Sequence, residues 1–423
     1  MTDSVPPALI AAVDESRQWS RLMGMAMLGA IPGEGVNRAA LTPLDRQARR
    51  LLVAWAEELG LAVSVDEIGN LFLRHEGTEP GAAPVLAGSH MDSQPSGGRF
   101  DGIWGVLAAL EAVQAIREAG LSTRRPIEVV AWTNEEGGRF APGCMGSMAW
   151  AGYRPAGTWD DVTDAAGITF RAALDAHLEA EADILRRPLG PAGTPPFAYV
   201  EAHIEQGPRL EADLLDIGIV TAIQGSRWFV VDITGESSHA GTTPLFLRRD
   251  AVQDMVRAIN ALNALTHDPL DVLRFTVGRV EAHPNTSNSV AGRVRFSIDL
   301  RHPDAAVLRE KGDAIESTIK DALCFCTAVV TETFHAMPTA FQPVVPDAVE
   351  RAAAAVGARA LRMPSGAFHD AQFLVPVCPS GMIFVPSRGG VSHHPSEYSS
   401  PEQLATGAKV LAATLFDLAN REA

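Results

Sequence analysis

The stretch Gly88–Gly105, GSHMDSQPSGGRFDGIWG, places His90 and Asp101 eleven residues apart, around a loop rich in glycine and proline. The short apolar run Val85–Ala87 in front of it predicts a buried strand, and the apolar periodicity of Ile103–Glu118 behind it predicts a core-facing helix. We therefore expect His90 at the end of a strand and Asp101 just before a helix. Loops of this kind, at the carboxyl edge of an open α/β sheet, are where ligands usually bind.

His90 and Asp101 have a metal-binding interpretation and a simpler one. A neutral imidazole and a carboxylate that converge at a sheet edge suit an ion such as Zn²⁺. An aspartate before an apolar helix is also a common N-cap, and a histidine at a strand end is often a hydrogen-bonded loop residue. These two residues alone leave both interpretations open, so the choice depends on the rest of the chain.

Length and charge limit the kind of protein this chain can form. Its 423 residues exceed what one hydrophobic core usually holds, which predicts two domains. The net charge of −16 argues against nucleic acid or an anionic membrane as the main partner. The N-terminal segment MTDSVPPALIAAVDES lacks the pattern of a signal peptide, and no apolar run approaches the ~20 residues of a membrane span.

The four cysteines are Cys144, Cys324, Cys326 and Cys378. Cys324 and Cys326 could be interpreted as a metal pair, but their spacing does not fit a zinc knuckle and no Cys/His pair accompanies them. We expect them to be small packing residues. The simplest compartment for this cysteine content is the reducing cytoplasm.

Helices and strands alternate in the first part of the chain. The predicted elements are helices over Glu15–Leu28 and Leu44–Leu59, and strands over Leu61–Val65, Asn70–Arg74 and Ile127–Trp132. The last strand ends directly on the polar run TNEEGG at 133–138. A strand, a helix and a strand in this order predict a right-handed crossover and a parallel pair, which brings both polar loops to one edge of the sheet.

A second pattern begins at Gly218, after an Asp-, Ala- and Pro-rich excursion at 154–196 and a short strand, Phe197–Ala202, that leads into HIEQGP. Its predicted strands are Trp228–Thr234, Val272–Val280, Val294–Leu300 and Ala328–Phe334, and its predicted helices are Arg248–Leu265 and Ala305–Leu323. The order β-α-β-β-α-β predicts a ferredoxin-like unit with an antiparallel sheet, inserted at 218–335. The chain then returns to α/β structure, with a helix over Asp347–Val356, a strand over Met382–Val385, a two-histidine loop at Val391–Pro395 and a closing helix over Pro401–Asn420.

The polar residues at the predicted strand ends form a set of candidate ligands: His90, Asp101, Glu135 or Glu136, His203, and one of His393 and His394. Each has a structural alternative, such as a solvated acidic turn or a hydrogen-bonded histidine. One carboxylate of such a set can bridge two ions about 3.5 Å apart, while a second one that is not a ligand carries the proton of the attacking water. Neighbouring glutamates on an extended segment point in different directions, so they can fill both roles.

Six stretches between about residues 85 and 405 form a specific pattern: GSHMDSQPSGGRFDG, NEEGGRFAPGCMGS, EAHIEQGP, SHAGTTPLFLRRDA, NSVAGRVRFSIDLRHP and GMIFVPSRGGVSHHPSEYSSPE. With them the chain resembles the zinc-dependent amidase/hydantoinase/carbamoylase branch of the M20 metallopeptidase family. That branch includes N-carbamoyl-L-amino acid hydrolases, allantoate amidohydrolases and yeast-type β-ureidopropionases. Within this branch the chain is most similar to the β-ureidopropionases, as judged by the segments SHMDSQP, WTNEEGGRFA, DLRHP and EYSSPE.

The resemblance implies a site with two divalent metal ions per subunit. Its implied ligands are His90, Asp101 as the bridge, Glu136, His203 and His393. It implies Glu135 as general base and acid, and Asp92 as a carboxylate that orients His90. Zinc is the implied metal, although Mn²⁺, Co²⁺ and Ni²⁺ also suit such ligands.

The resemblance also implies the substrate contacts. Asn288 and Arg301 match residues that bind a carboxylate, and a guanidinium does so through two parallel hydrogen bonds; an ordinary surface ion pair is the alternative for Arg301. Gln206 matches a polar contact to substrate, and His239 matches a histidine that stabilises the oxyanion and, in relatives, comes from the partner subunit.

One stretch departs from the family pattern. Relatives usually have SGAGHD or SGAAHD where this chain has SGAFHD, so Phe368 precedes His369 at a substrate-binding position. A phenyl ring there would narrow the pocket or form an apolar wall, and the alternative is that Phe368 turns into the core.

The fold implied by the resemblance is α/β with two domains. A mixed-sheet, metallopeptidase-like catalytic domain would comprise residues 1–217 and 336–423, and an inserted ferredoxin-like α+β domain at 218–335 would act in dimerisation and as a lid. The implied protein is a cytoplasmic homodimer that acts on a small carboxylate substrate and hydrolyses the carbamoyl C–N bond of N-carbamoyl-β-alanine or N-carbamoyl-L-α-amino acids. Allantoate is one alternative substrate, and a dipeptide or N-acylamino acid is another. A relative without catalytic activity, serving as a scaffold, is a third interpretation, which the intact ligand set and Glu135 disfavour.

Overall fold

The computed structural model describes residues 5–191 and 194–422. Residues 1–4 of the N-terminal segment, residues 192–193 of the predicted excursion at 154–196, and residue 423 lie outside the described residues. The chain forms two compact units: Met1–Thr221 with Phe341–Ala423, and Ala222–Ala340. These boundaries lie a few residues from the ones predicted at 217/218 and 335/336.

The predicted helices and strands follow one another along the chain in the predicted order, and further elements that the pattern did not predict lie between them. The helices are α1 (Pro7–Ala12), α2 (Glu15–Ala26), α3 (Pro43–Glu58), α4 (Ile103–Glu118), α5 (Met145–Trp150), α6 (Phe170–Ala180), α7 (Arg209–Ala212), α8 (Ala251–Leu265), α9 (Ala305–Ala322), α10 (Val344–Val356), α11 (Ala371–Leu374) and α12 (Pro401–Asn420). The strands are β1 (Ala30–Ile31), β2 (Gly35–Val36), β3 (Ala62–Val65), β4 (Leu71–His75), β5 (Val85–His90), β6 (Ile127–Trp132), β7 (Leu185–Arg186), β8 (Ala198–Ile204), β9 (Ile217–Ile223), β10 (Gly225–Thr234), β11 (Ser238–His239), β12 (Arg274–Thr276), β13 (Val280–His283), β14 (Ser289–Val290), β15 (Arg293–His302), β16 (Thr327–Ala336), β17 (Thr339–Ala340), β18 (Ala360–Ser365) and β19 (Ser380–Val385).

The large sheet is mixed, and its centre is parallel. Its strand order is β17-β9-β19-β8-β5-β6-β4-β3-β7, with β18 on β9. Strands β19, β8, β5 and β6 run parallel to one another, so their carboxyl ends share one edge. The predicted parallel pair of β5 and β6, linked through α4, is therefore confirmed.

Helix α4 is buried along most of its length because it packs between the sheet and α12. Two glycines of the GSHMDSQPSGGRFDGIWG stretch allow this close packing. Gly102 has φ +64°, and a Cβ atom there would lie 2.2 Å from the His90 ring. A Cβ atom on Gly105 would lie 2.1 Å from the carbonyl oxygen of Ala202 in β8. Glycine is thus required where the loop and the helix meet the strands.

The second unit is ferredoxin-like, as predicted. Its sheet has the order β12-β15-β10-β16, with β13 also on β15, and all these pairs are antiparallel. Alternate residues of β10 and β15, including Val231 and Phe296, face α8 and α9 and form the core of this unit. Helix α8 begins three residues later than predicted, because Asp250 accepts the N–H groups of Val252 and Gln253 as its N-cap.

Two local predictions in this unit are wrong. The strand predicted over Val272–Val280 is two strands, because the five residues from Thr276 to Val280 face only four from Asp299 to Phe296, which leaves a bulge. Cys324 is exposed rather than packed, whereas Cys326 is partly buried against the core of this unit as predicted. Both donate their backbone N–H groups to the buried carboxylate of Asp254. Among the described helices of both units, none is long and apolar enough to cross a membrane.

Candidate metal centre

The carboxyl edge of the parallel strands carries a cluster of imidazoles and carboxylates. His90 is the last residue of β5, and His203 lies next to the end of β8. Glu135 and Glu136 follow β6, and His393 lies in the loop after β19. The topology therefore brings together residues that are far apart in the chain, because parallel neighbours end at the same edge.

Asp101 is the centre of this cluster. Its Oδ1 lies 3.0 Å from Nε2 of His203 and 3.7 Å from Nε2 of His90. Its Oδ2 lies 3.4 Å from Nε2 of His393, which is itself 3.4 Å from Oε2 of Glu136. Two groups of potential metal ligands result, His90–Asp101–His203 and Asp101–Glu136–His393, and they share one carboxylate.

The hydrogen bonds of His90 and His203 fit metal binding. The Nδ1 atoms of the two rings lie 2.9 Å from the backbone carbonyl oxygens of Asp92 and Ile204, respectively. A carbonyl oxygen only accepts, so in the neutral rings Nδ1 carries the hydrogen and Nε2 has a free lone pair. The buried Nε2 of His203 forms no aligned hydrogen bond, although it faces a carboxylate. A cation between these acceptors would satisfy both.

The charges of the cluster also favour a cation. Burial lowers the pKa of His90 to about 4, which keeps its imidazole neutral. Burial, and next the charge of Asp101, raises the pKa of Glu136 to about 8. Burial alone would raise the pKa of Asp101, but the charge of His203 holds it well below its usual range. Asp101 in turn raises the pKa of His203 to about 9, against the effect of burial. Closely spaced buried carboxylates of this kind are stabilised by a divalent ion.

The N-cap interpretation of Asp101 is wrong. Gly102 occupies the N-cap position of α4, and no side chain caps that helix. The carboxylate of Asp101 instead accepts hydrogen bonds at Oδ2 from Nε2 of Gln206, at 2.9 Å, and from Oγ of Ser392, at 3.0 Å. These two donors leave Oδ1 to face the imidazoles of His90 and His203.

Asp92 connects the loops that carry the neighbouring ligands. Its carboxylate accepts the N–H groups of Glu135 at 3.1 Å and of Glu136 at 3.2 Å, and it lies 3.8 Å from Nδ1 of His90. The imidazole of His90 therefore contacts mainly the backbone oxygen of Asp92, rather than its carboxylate as predicted. Gln94 fixes Glu136 by donating its side-chain amide to Oε2 at 2.9 Å.

Glu135 stands beside the ligand groups without belonging to either. Its Oε2 lies 3.4 Å from Nε2 of His90, and its Oε1 accepts from Sγ of Cys144 at 3.5 Å. Burial, followed by the charge of Asp370, raises the pKa of Glu135 well above its usual range. A carboxylate with a raised pKa next to a potential metal site is suited to take up and release a proton.

Three predicted substrate-binding residues lie in the first unit, which also holds the cluster of candidate ligands. Gln206 makes its contact with Asp101, which places its amide at the cluster. The ring of His369 lies 4.5 Å from that of His203, and its Nε2 lies 2.9 Å from Oγ of Ser365. Phe368 is half-buried in the turn before it.

The other three lie in the second unit. His239 on β11 is exposed, and its Nδ1 accepts the backbone N–H groups of Gly241 and Thr242. The neutral ring therefore carries its hydrogen on Nε2, and this N–H group could donate a hydrogen bond to an oxyanion. The backbone oxygen of Asn288 accepts from Ala240, next to His239. The guanidinium of Arg301 forms a two-pronged pair with Asp299 on the same strand.

Sequence reasoning missed several residues that support the candidate ligands or Glu135: Gln94, Cys144, Ser392 and Glu397. All four lie inside the six stretches of the pattern or directly beside a predicted ligand. Short polar side chains in glycine-rich loops give no periodic signal, so only the folded loops show which of them turn toward the ligands.

The mixed α/β sheet presents imidazoles and carboxylates at the carboxyl ends of its parallel strands, where two groups of them could hold metal ions. The chain belongs to peptidase family M20/M25/M40, whose family model matches residues 86–417.

Comparison with individual proteins agrees with this membership. The chain is 41% identical to an N-carbamoyl-L-amino acid amidohydrolase of Geobacillus stearothermophilus, over 97% of this chain and 100% of that protein. It is 36% identical to the allantoate amidohydrolase of Escherichia coli strain K12, over 96% of this chain and 98% of that one. Its fold matches the crystal structure of an amidase of the hydantoinase/carbamoylase family from Burkholderia multivorans with a TM-score of 0.89 and 42% identity, covering 97% of this chain and 99% of that one.

Proposed function

We propose that this protein is a metal-dependent amidohydrolase that cleaves the carbamoyl C–N bond of N-carbamoyl amino acids. With one water molecule, the ureido group yields the free amine, CO₂ and ammonia. The observation that carries the proposal is the pair of ligand groups sharing Asp101, with Glu135 beside them as a carboxylate outside both groups. The Geobacillus relative, an N-carbamoyl-L-amino acid amidohydrolase at 41% identity, supports the choice of bond and favours L-α-amino acids over N-carbamoyl-β-alanine.

The ligands that would hold two divalent ions are His90, Asp101, Glu136, His203 and His393. Such ions would polarise a carbonyl group and lower the pKa of bound water. Zinc suits the imidazole and carboxylate donors, and Mn²⁺, Co²⁺ and Ni²⁺ suit them as well.

Glu135 moves the proton in this proposal. Its Oε2 faces the ligand groups, where it takes a proton from the attacking water and then delivers it to the leaving nitrogen. The raised pKa of Glu135, caused first by burial and next by the charge of Asp370, supports this role because it makes the carboxylate a better proton acceptor.

The second unit supplies the groups that bind the rest of the substrate. Arg301 and Asn288 hold the carboxylate, and the Nε2–H of His239 stabilises the oxyanion. The hydrogen bonds to Nδ1 of His239 support this role, since they fix the tautomer that donates from Nε2. We further propose that the protein is a cytoplasmic homodimer formed through this unit, which would also act as a lid.

Allantoate is the second candidate substrate. It is also a ureido compound with a carboxylate, and the chain is 36% identical to an allantoate amidohydrolase over nearly its whole length. The same proton transfers would serve both substrates. The preference for one substrate over the other would therefore depend on the side chains that surround the carboxylate and its substituent.

Ammonia release after metal reconstitution tests the proposal. The substrate panel holds N-carbamoyl-L-amino acids of small and large side chain, their D-enantiomers, N-carbamoyl-β-alanine, allantoate, a dipeptide and an N-acetylamino acid. We expect ammonia from N-carbamoyl-L-amino acids and little from the D-enantiomers. Ammonia from allantoate alone would select the second candidate, and cleavage of only the dipeptide or N-acetylamino acid would overturn the assignment to carbamoyl compounds.

A further inference from the structure

Cys144 contacts Glu135 through both its backbone and its side chain. Its N–H donates to the carbonyl oxygen of Glu135 at 2.9 Å, and its thiol donates to Oε1 at 3.5 Å. The cysteine is 6% exposed, so no solvent competes effectively for this thiol. The contact joins the proposed proton carrier to a side chain that lies outside both ligand groups.

The backbone around Cys144 holds the thiol in this place. Cys144 has φ +55°, a left-handed conformation that is uncommon for a residue with a side chain. A Cβ atom on Gly143 would lie 2.0 Å from the carbonyl oxygen of Glu135, so only glycine lets the two segments approach this closely. The N–H of Gly146 donates to the carbonyl oxygen of Thr133 at 2.9 Å, which holds the first turn of α5 against the loop that carries Glu135.

The two oxygens of Glu135 consequently have different neighbours. Oε1 faces the thiol of Cys144, and Oε2 faces Nε2 of His90 at 3.4 Å. A donor on one oxygen of a carboxylate restricts rotation of the group and selects which oxygen points at the ligands. We propose that Cys144 is a positioning residue, which orients Glu135 so that Oε2 takes the proton; this inference rests on the role of Glu135 in the proposed function.

Substitution of Cys144 separates donation from space filling. Cys144→Ala removes the donor, whereas Cys144→Ser keeps one. One neutral hydrogen bond accounts for about a two- to tenfold change in rate, so we expect Cys144→Ala to lower kcat by that factor with KM unchanged. Cys144→Ser should recover most of kcat.

Cys378 offers a matched control. It is 4% exposed, its thiol lies 3.9 Å from the hydroxyl oxygen of Ser380, and it belongs to neither group of candidate ligands. Cys378→Ala should keep kcat, and both alanine variants should retain metal content and show comparable shifts in Tm. An unchanged kcat in Cys144→Ala, or equal losses in Cys144→Ala and Cys144→Ser, would overturn the positioning role.

The S–H stretching band tests the contact without relying on activity. An infrared difference spectrum between the wild type and Cys144→Ser isolates the band of Cys144. Glu135→Gln, which replaces a carboxylate by a weaker acceptor, should move this band to higher frequency, whereas Cys378→Ala should not. An unmoved band would refute the contact. A moved band combined with full turnover in Glu135→Gln would instead refute the proposed role of Glu135.

Discussion

The carboxylate of Glu397 accepts the backbone N–H of Asp101 at 3.1 Å, across 296 residues of sequence. The same oxygen accepts the N–H of Phe100, also at 3.1 Å, and the other oxygen lies 3.1 Å from Oγ of Ser392. Since Ser392 donates to Asp101 and precedes His393, one buried carboxylate joins the loops that carry two candidate ligands.

Replacing Glu397 should therefore weaken metal binding. Glu397→Ala leaves two buried N–H groups without an acceptor, each costing about 1–3 kcal/mol, and frees the loop of Asp101. Glu397→Gln keeps an acceptor for those N–H groups and should be milder. Isothermal titration of the metal-free protein with Zn²⁺ checks this order. Equal affinities in all three proteins would show that Glu397 does not position the ligands.

Glu135→Gln should abolish most turnover and keep the metal. The amide cannot take a proton from water, and loss of a general base typically lowers rates by about 10²–10⁴-fold. The measurement is kcat together with metal content by atomic emission. Because Glu135 lies outside both ligand groups, metal content should equal that of the wild type. Unchanged kcat would mean that another group carries the proton, and lost metal would make Glu135 a ligand.

Chelation should lower both activity and thermal stability. The cluster brings Asp101, Glu136 and the imidazoles close together, and a bound cation stabilises the folded state by about 2.7 kcal/mol when present at 100 times its Kd. We expect Tm to fall after dialysis against chelator and to return with Zn²⁺ or Mn²⁺. Asp101→Asn, which lacks the shared carboxylate charge, serves as the control and should show little further change on chelation. If the Tm of the wild type did not change on removal of metal, this result would contradict the proposal that the cluster binds metal.

Arg301→Lys should raise KM for substrates that carry a carboxylate. A guanidinium forms two parallel bonds to a carboxylate, whereas an ammonium acts as a point charge. Loss of about 1.4 kcal/mol corresponds to a tenfold increase in KM. Arg274→Lys, on the neighbouring strand opposite Arg301, is the matched control and should leave KM unchanged. Equal KM values for Arg301→Lys and the wild type would remove Arg301 from substrate binding.

The sequence predicts the fold well because apolar periodicity decides it. The runs of β5, α4 and β6 identify a parallel pair, and the parallel order then places His90 and Glu135 at one edge. Periodicity could not choose between His393 and His394, or between ligand and N-cap for Asp101. Those choices depend on the conformation of the loops, such as φ +64° at Gly102 and φ +55° at His393. The pattern of apolar and polar residues does not determine these backbone angles.

The same dependence on loop conformation explains why the sequence did not predict the residues that support the ligands. Glu397 and Ser392 act on Asp101 only after the chain has returned from the second unit, so no local spacing relates them. The bulge between β12 and β13 also escapes the pattern, because a single extra residue does not interrupt an apolar run.

A buried ion pair gives a prediction for stability that is independent of the candidate site. Nε and the second terminal nitrogen of Arg49 in α3 each donate at 2.8 Å to the carboxylate of Glu181, at the end of α6. Neither side chain is more than 5% exposed. Burial alone would raise the pKa of Glu181, but the charge of Arg49 lowers it below its usual value.

Glu181→Gln should destabilise the fold at neutral pH by about 3–5 kcal/mol, because it leaves the buried charge of Arg49 without its partner. Since the folded pKa lies below the unfolded value of about 4.3, the stabilisation is complete above that value and is lost as pH falls through the folded pKa. Urea unfolding at pH 7, 5 and 4 should therefore show a constant difference between wild type and variant down to about pH 5, and a shrinking one below it. Asp183→Asn, which breaks the exposed pair with Arg50 beside it, should cost less than about 1 kcal/mol. Equal costs for the two variants, or a gap that widens in acid, would contradict this account of the Arg49–Glu181 pair.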